Sequence, residues 1–382
     1  MSKIHNKGVT IKPKNELSKT ILNVLHDMLN DRIVDAVLIP MRVPAKDSYA
    51  WILVKDGELL DDANPVAPIM PVQGAKALSS FLRKGEPALK IAAVLKPCEI
   101  RAVIELSKLN QINLENVTLI SYDCPGTFSM KDYLNDPEKA EKKFKELLKK
   151  LNFYHTSIKS VCHICDEFSL LPVSDLHFGF FGNGDNSVLL IPSSKQGEHI
   201  LQEMKMEPSQ DISEWSQTIE NIRKKRLTNK QERFKQIKNM VEGLDSLRDT
   251  FSSCIGCHNC RSACPVCYCR QCYFESETAK IESDMMMFKA KNRGSISFPL
   301  DRIMFQVGRM SHMSLSCVSC GLCTDACPVS IPVAEIFSYV SNNTQEKFGY
   351  KSGQDKEEPI PLKTFKLEET KGIKELVEDA EG

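Results

Sequence analysis

No apolar run in this sequence approaches the ~20 residues that a membrane-spanning helix needs, which excludes a spanning protein. The opening stretch, MSKIHNKGVTIKPKNELSKT, has no apolar signal core, so the expected setting is a reducing cytoplasm. Net charge is also missing: 50 Lys and Arg balance 50 Asp and Glu. A balanced chain of this kind recruits neither nucleic acid nor an anionic membrane. No G-x-G-x-x-G phosphate fingerprint occurs. The 382 residues suffice for two or three domains, each with its own core.

Cysteine, by contrast, is plentiful, with 15 residues. In a reducing compartment such thiols serve metal rather than disulfides. CIGCHNCRSACP (254–265) and CVSCGLCTDACP (317–328) both read C-x2-C-x2-C-x3-C-P, the ferredoxin run for iron–sulfur clusters. Three thiolates on one tight loop cap three corners of a cube. The fourth, turned away by its proline, reaches a second cube. Two copies imply crossed ligation: Cys254, Cys257 and Cys260 with Cys327, and Cys317, Cys320 and Cys323 with Cys264. Zinc is the alternative, but structural zinc sites use C-x2-C pairs and four ligands, not two sets of four ending in Cys-Pro.

The N-terminal half alternates helical and strand-like segments. Leu17, Ile21, Leu25 and Met28 predict a helix over 15–30. VDAVLIPM (34–41), AWILV (50–54), KIAAVL (90–95) and VTLISY (117–122) predict buried strands, with helices over 75–84 and 99–109 between them and an exposed helix over 139–152. This is the pattern of an α/β domain with a mainly parallel sheet. Cys98 lies between a strand and a helix, and Cys124 directly follows a strand, where open α/β sheets collect ligands. Cys162 and Cys165 form a C-x2-C pair. Together the four would hold a third 4Fe–4S cluster, the alternatives being buried free cysteines or a redox dithiol.

The succession VDAVLIPM, LKIAAVLKPCEIRAVIELSKL, ISYDCPG and CHICDEF…VSDLHFGFFGNGD, over about residues 15–200, resembles the β subunits of coenzyme F420-reducing hydrogenases and F420-dependent formate dehydrogenases. The resemblance places Cys98, Cys124, Cys162 and Cys165 on that family's cluster-ligand positions. It also implies bound FAD exchanging hydride with F420 as substrate. Where the family has a glycine-rich first turn, this chain has KNELSK, with Asn15 and Ser18 as candidate helix caps. Gly182 and Gly184 either contact the flavin or form a turn. Lys96 and Arg101, beside Cys98, either stabilise added negative charge at a cofactor or are surface charges.

Residues 215–251 read as one or two long charged helices, whose basic run Arg223–Arg226 either docks a partner or is the solvated face of a connector. The insert between the ferredoxin runs carries Met285–Met287, read as packing atoms, and a predicted helical stripe of Ile303, Met304, Val307 and Met310. It resembles the helical ferredoxin domains of fumarate reductase and heterodisulfide reductase subunits. His312 is either a sulfur hydrogen-bond donor or a helix-end histidine. Cys267, Cys269 and Cys272 could join a fourth cluster, a zinc clip completed by histidine, or a set of shielded thiols. The expected organisation is a flavin- and cluster-binding α/β domain (1–212), a helical linker (213–250), an all-α di-cluster ferredoxin domain (251–344) and a loose tail (345–382). It implies an electron-transfer subunit of a hetero-oligomeric oxidoreductase in an anaerobic cell. Through the resemblance, its partners would be a formate dehydrogenase or hydrogenase catalytic subunit, or heterodisulfide-reductase-like subunits. A flavin-free wiring subunit is the second reading. An iron–sulfur sensor is the third, with no DNA-binding motif or basic patch to favour it.

Overall fold

The computed structural model describes residues 7–83, 85, 87–183, 187–279, 282–294 and 302–362. Gly184, the tail beyond 362 and the insert residues 295–301 lie outside that set.

Parallel strands β2 (Ala36–Arg42), β4 (Ile91–Val94), β5 (Val117–Tyr122) and β6 (Leu176–Gly179) form the centre of an eight-stranded sheet. Antiparallel β3 (Tyr49–Val54) edges β2, and antiparallel β7 (Val188–Pro192), β1 (Lys7–Ile11) and β8 (Gln210–Asp211) extend the far side. The central strands are apolar at nearly every position because both faces are covered. Val37, Ile39, Ala92, Val94, Ile120 and Tyr122 face one layer. Alternate residues Leu38, Ile91, Ala93 and Leu119 face the other, as the two-residue period of a strand requires.

The first layer contains α1 (Leu17–Asn30), which buries Ile21, Leu25 and Met28, together with α4 (Met130–Asn135) and α5 (Pro137–Lys149). The α1 N-cap is Glu16 rather than Asn15 or Ser18; the Ser18 hydroxyl donates instead to Asn64 Oδ1 at 3.1 Å. In the second layer lie α2 (Gly74–Leu82) and α3 (Pro97–Lys108). Pro97 opens α3, and the Glu99 carboxylate accepts from Lys96 N at 2.8 Å and Gly74 N at 2.9 Å. Short α6 (Ser160–His163) and α7 (Lys195–Glu203) follow in the chain.

The helix expected as a solvated connector is a 29-residue α8 (Ser213–Val241) that packs into both cores through Trp215, Ile219, Arg226 and Ile237. After α9 (Leu244–Thr250) come α10 (Asn259–Ala263), α11 (Ser283–Arg293), α12 (Arg302–Met313), α13 (Leu322–Asp325) and α14 (Val333–Lys347). Phe251, Val266, Phe305, Ile336 and Phe337 from this helical region join Leu78, Val103, Ile104 and Leu119 in one apolar cluster. The cysteine-rich region is thus built onto the second face of the sheet. Met285 and Met287 are exposed rather than packed, whereas Met310 and Met313 are buried. Among the described residues no helix is long and apolar enough to cross a membrane.

Candidate metal centres

The two ferredoxin runs fold alike. In each, the residues two and four after the first cysteine have left-handed φ: Gly256 (66°) and His258 (56°), then Ser319 (57°) and Gly321 (87°). These reversals curl the loop and launch a short helix, α10 or α13, which carries Cys260 or Cys323. The two short helices pack together. One cavity is lined by Cys254, Cys257, Cys260 and Cys327, with Phe305 and Gln306. A second is lined by Cys264, Cys317, Cys320 and Cys323, with Arg309 and Phe337. In both, three thiols of one run meet the last thiol of the other.

Burial pushes the Cys320 thiol up to about 12 and raises Cys264 and Cys323 as well, because the thiolate form is desolvated. These three buried thiols, which resist ionisation alone, become strong ligands once a cationic centre displaces their protons. Among the described residues no three His, Cys, Asp or Glu side chains converge on a single ion position. A cube holds its four thiolates apart at separate corners, so this donor set fits a 4Fe–4S group and not a single zinc ion.

Helix α12 supplies polar groups that its sequence hides. Its buried face is Phe305, Gln306, Arg309, Met310 and Met313, while Met304 and Val307 of the expected stripe are exposed. Gln306 Nε2 approaches Cys254 Sγ at 3.8 Å and Cys260 Sγ at 3.9 Å. It occupies the sulfur-donor role considered for His312, which is exposed.

A third group of thiols lies at the carboxyl ends of the parallel strands. Cys98 sits in the first turn of α3, after β4; Cys124 follows β5, and its N–H donates to Phe168 O at 2.7 Å. Gly126, at φ 102°, lets that loop lie against Cys162, whose Cβ would stand 2.9 Å from a Cβ placed there. Arg226 of α8, only 1% exposed, donates to Cys165 O at 3.3 Å and to Cys124 O and Pro125 O at 3.5 Å. It therefore clasps two of the loops and is no solvated charge. Burial pushes Cys124 up to about 12, the neighbouring Cys162 adding to the shift and Lys96 opposing it. Cys165 rises to about 11, again by burial, with Arg226 opposing. Burial raises Cys98 too, helped by Glu99, Cys320, Cys124 and Cys165.

The third group adjoins the second cavity. A Cβ on Gly321 would stand 2.6 Å from Val161 Cγ1, so the loop of Cys320 lies against α6. Lys159, just before α6, forms a buried ion pair with Asp325 of α13.

Asp123, next to Cys124, is a buried hydrogen-bond hub that the sequence conceals. Fully buried, it accepts from Ser169 Oγ, His177 Nε2 (3.1 Å), Phe180 N (2.7 Å), Phe181 N (2.9 Å) and Trp215 Nε1 (2.8 Å). Burial alone would raise its carboxyl, but His177, Ser169 and Trp215 hold it below the ordinary carboxylate range.

Arg101 and Gly182, two of the residues expected to touch a flavin, are engaged within the protein. Arg101 donates to Ser352 O at 2.8 Å and Ser352 Oγ at 2.9 Å, clamping the segment after α14. Gly182, at φ 84°, packs against Thr218 of α8. Lys96 is buried, and its charge bears on Cys124. The α1 N-terminus, where the family has its glycine-rich turn, carries the Glu16 carboxylate paired with Lys145 at 3.0 Å. Arg101 and Gly182, so engaged, do not present a flavin cradle. Cys267 is half-buried against the second core, while Cys269 is exposed. Among the described residues no histidine or acid completes a metal site with Cys267, Cys269 and Cys272.

Residues 249–331 match the 4Fe-4S dicluster domain family. The F420-dependent formate dehydrogenase subunit beta of Methanocaldococcus jannaschii is 29% identical over 366 residues, covering 87% of this chain and 90% of the relative. The F420-dependent formate dehydrogenase 1 subunit beta of Methanococcus maripaludis is 28% identical, covering 91% and 94%. A chain of the xenon-derivatised F420-reducing [NiFe] hydrogenase complex of Methanosarcina barkeri aligns with a TM-score of 0.47 at 14% identity, covering 64% of this chain and 95% of that one. The protein is thus an iron–sulfur electron-transfer subunit, a homologue over most of its length of the β subunits of F420-dependent formate dehydrogenases, with a 4Fe-4S dicluster domain in its C-terminal third.

Proposed function

We propose that the chain binds three 4Fe–4S groups in a row. Cys98, Cys124, Cys162 and Cys165 hold the first; Cys264, Cys317, Cys320 and Cys323 the second; Cys254, Cys257, Cys260 and Cys327 the third. When bound, each group accepts and releases one electron at a time. The protein fixes their order, buries their ligands and excludes water. One observation carries this reading: the Cys320 loop packs directly on α6, so the cysteines of the sheet domain and those of the dicluster domain form one continuous set.

The relatives' names further support a place in an F420-linked formate dehydrogenase, with a catalytic formate-oxidising subunit as partner. F420 carries a hydride, an electron pair, whereas the clusters carry single electrons, so a converting group is needed between them. Because Arg101, Gly182 and the α1 terminus are engaged internally, we derive no step through a flavin. That same observation favours a second reading, in which this subunit only wires two partners together.

Anaerobic purification with iron, sulfide and flavin analysis tests these readings. About twelve irons per chain are expected. About eight would remove the sheet-domain cluster from the proposal. Extractable FAD with F420 bleaching in the presence of formate and the partner supports the hydride-linked reading; neither, with full iron, supports the wiring reading.

A further inference from the structure

Arg309 sits at the junction of the two dicluster cavities. Its residue is 3% exposed and lines the cavity of Cys264, Cys317, Cys320 and Cys323. Its Nη2 donates to Cys260 O at 3.1 Å, reaching the loop of the other cavity. The guanidinium lies 4.6 Å from the ring of Phe337 and 5.7 Å from that of Phe305; the former lines one cavity and the latter the other. Nε and Nη1 are buried with no hydrogen-bond acceptor among the described residues. No carboxylate pairs with it among the described ion pairs, and the groups facing it that can carry negative charge are the sulfurs of Cys260, Cys264, Cys323 and Cys267, neutral as thiols and anionic only as ligands.

A buried guanidinium without a counter-ion is costly unless negative charge stands nearby. Resting on the cluster reading above, we propose that Arg309 is a shared tuning residue: one fixed cation that stabilises added negative charge at both dicluster sites. Each one-electron reduction adds one unit of negative charge to a site, and two such sites side by side repel each other. A cation between them favours reduction of both and so offsets part of that repulsion, an effect strengthened by the dry, aromatic surroundings. Arginine suits the position because it stays charged when buried and stacks on rings.

The test uses the full-length protein, purified anaerobically, in native form and as Arg309→Gln and Arg309→Lys. Iron and sulfide are counted first; native protein lacking the dicluster iron would refute the cluster reading itself, separately from this proposal. EPR-monitored redox titration then gives each site's potential. In Arg309→Gln with full iron, both dicluster potentials are expected to fall, by about tenfold in each reduction equilibrium, or about 59 mV for a one-electron couple. The sheet-domain site should stay unchanged, and Arg309→Lys should stay near native. Unchanged potentials in Arg309→Gln, a shift at only one site, an equal shift in Arg309→Lys, or loss of iron from Arg309→Gln would each overturn the proposal, the last by making Arg309 a scaffold residue.

Discussion

Exchanging Cys264 for serine separates crossed from uncrossed ligation. Cys264 belongs by sequence to the first run but lines the cavity of Cys317, Cys320 and Cys323. In the proposed ligation its Sγ is one of four donors to that site, and a cube that loses a thiolate is left as a three-iron species or is lost. The expected deficit is therefore about one to four irons of about twelve, drawn from the middle site. Cys327→Ser should show the mirror result, stripping the site of Cys254, Cys257 and Cys260. The consequences differ in kind. The middle site adjoins the sheet-domain cysteines, so Cys264→Ser should leave the outer sites able to take up electrons separately but unable to exchange them. Cys327→Ser should leave the sheet-domain and middle sites in communication. Cys267 lies close enough to interact with Cys264 and Arg309, so the double substitution with Cys267→Ser guards against a replacement ligand. Mössbauer and EPR spectra of the two variants under stepwise reduction provide the assay. If Cys264→Ser removes the signal of the Cys254 site and spares the other, the ligation is not crossed and the proposed order of sites is wrong.

Three further outcomes follow from the packing. Asp123→Asn sets an amide N–H₂ against at least two of the five donors now served by the carboxylate, so a loss of about 3–5 kcal/mol is expected, read as a lower urea midpoint with unchanged slope. A loss under about 1 kcal/mol would contradict the network. Because the folded state holds this carboxyl below the ordinary carboxylate range, its contribution is complete above the unfolded value and disappears as pH falls through the folded one; in Asp123→Asn that part of the acid dependence should be absent. Asp325→Asn alone, leaving the Lys159 cation buried and unpaired, should cost about 3–5 kcal/mol, while Lys159→Met with Asp325→Leu should recover most of it; equal losses in single and double variants would argue against a coupled pair. Gly321→Ala meets both a φ of 87° and the Val161 side chain at 2.6 Å, so it should lower thermal stability and middle-site iron together, and a variant with native iron content would show that the loop can yield.

Covalent spacing made the cluster loops legible: a C-x2-C-x2-C-x3-C-P run dictates its own turn, and both copies take the same reversals at Gly256, His258, Ser319 and Gly321. The parallel strands were legible for a similar reason, since burial on both faces makes them uniformly apolar. Strands β1 and β6 escaped notice because KGVTI and LHFG are short and mixed. Asp123 was hidden because its partners lie 46 to 92 residues away. The role of Arg226 differed from its sequence reading, and Gln306 and Arg309 gave no signal, for one physical reason: on a helix, a polar residue aimed at buried carbonyls or sulfur has the same sequence signature as one aimed at water. That ambiguity turned the buried stripe of α12 away from Met304 and Val307, and it made α8 resemble a connector.

The shared apolar cluster beneath α2, α3 and the cysteine-rich helices has a mechanical consequence. Modules joined by a hinge relay charge only as fast as they collide, and solvent friction slows them. Here the seam is a single packed interior, so separations along the conduit are set at folding and do not change from one turnover to the next. Passage through this subunit should be indifferent to added glycerol, leaving any viscosity dependence to the encounters at its two ends.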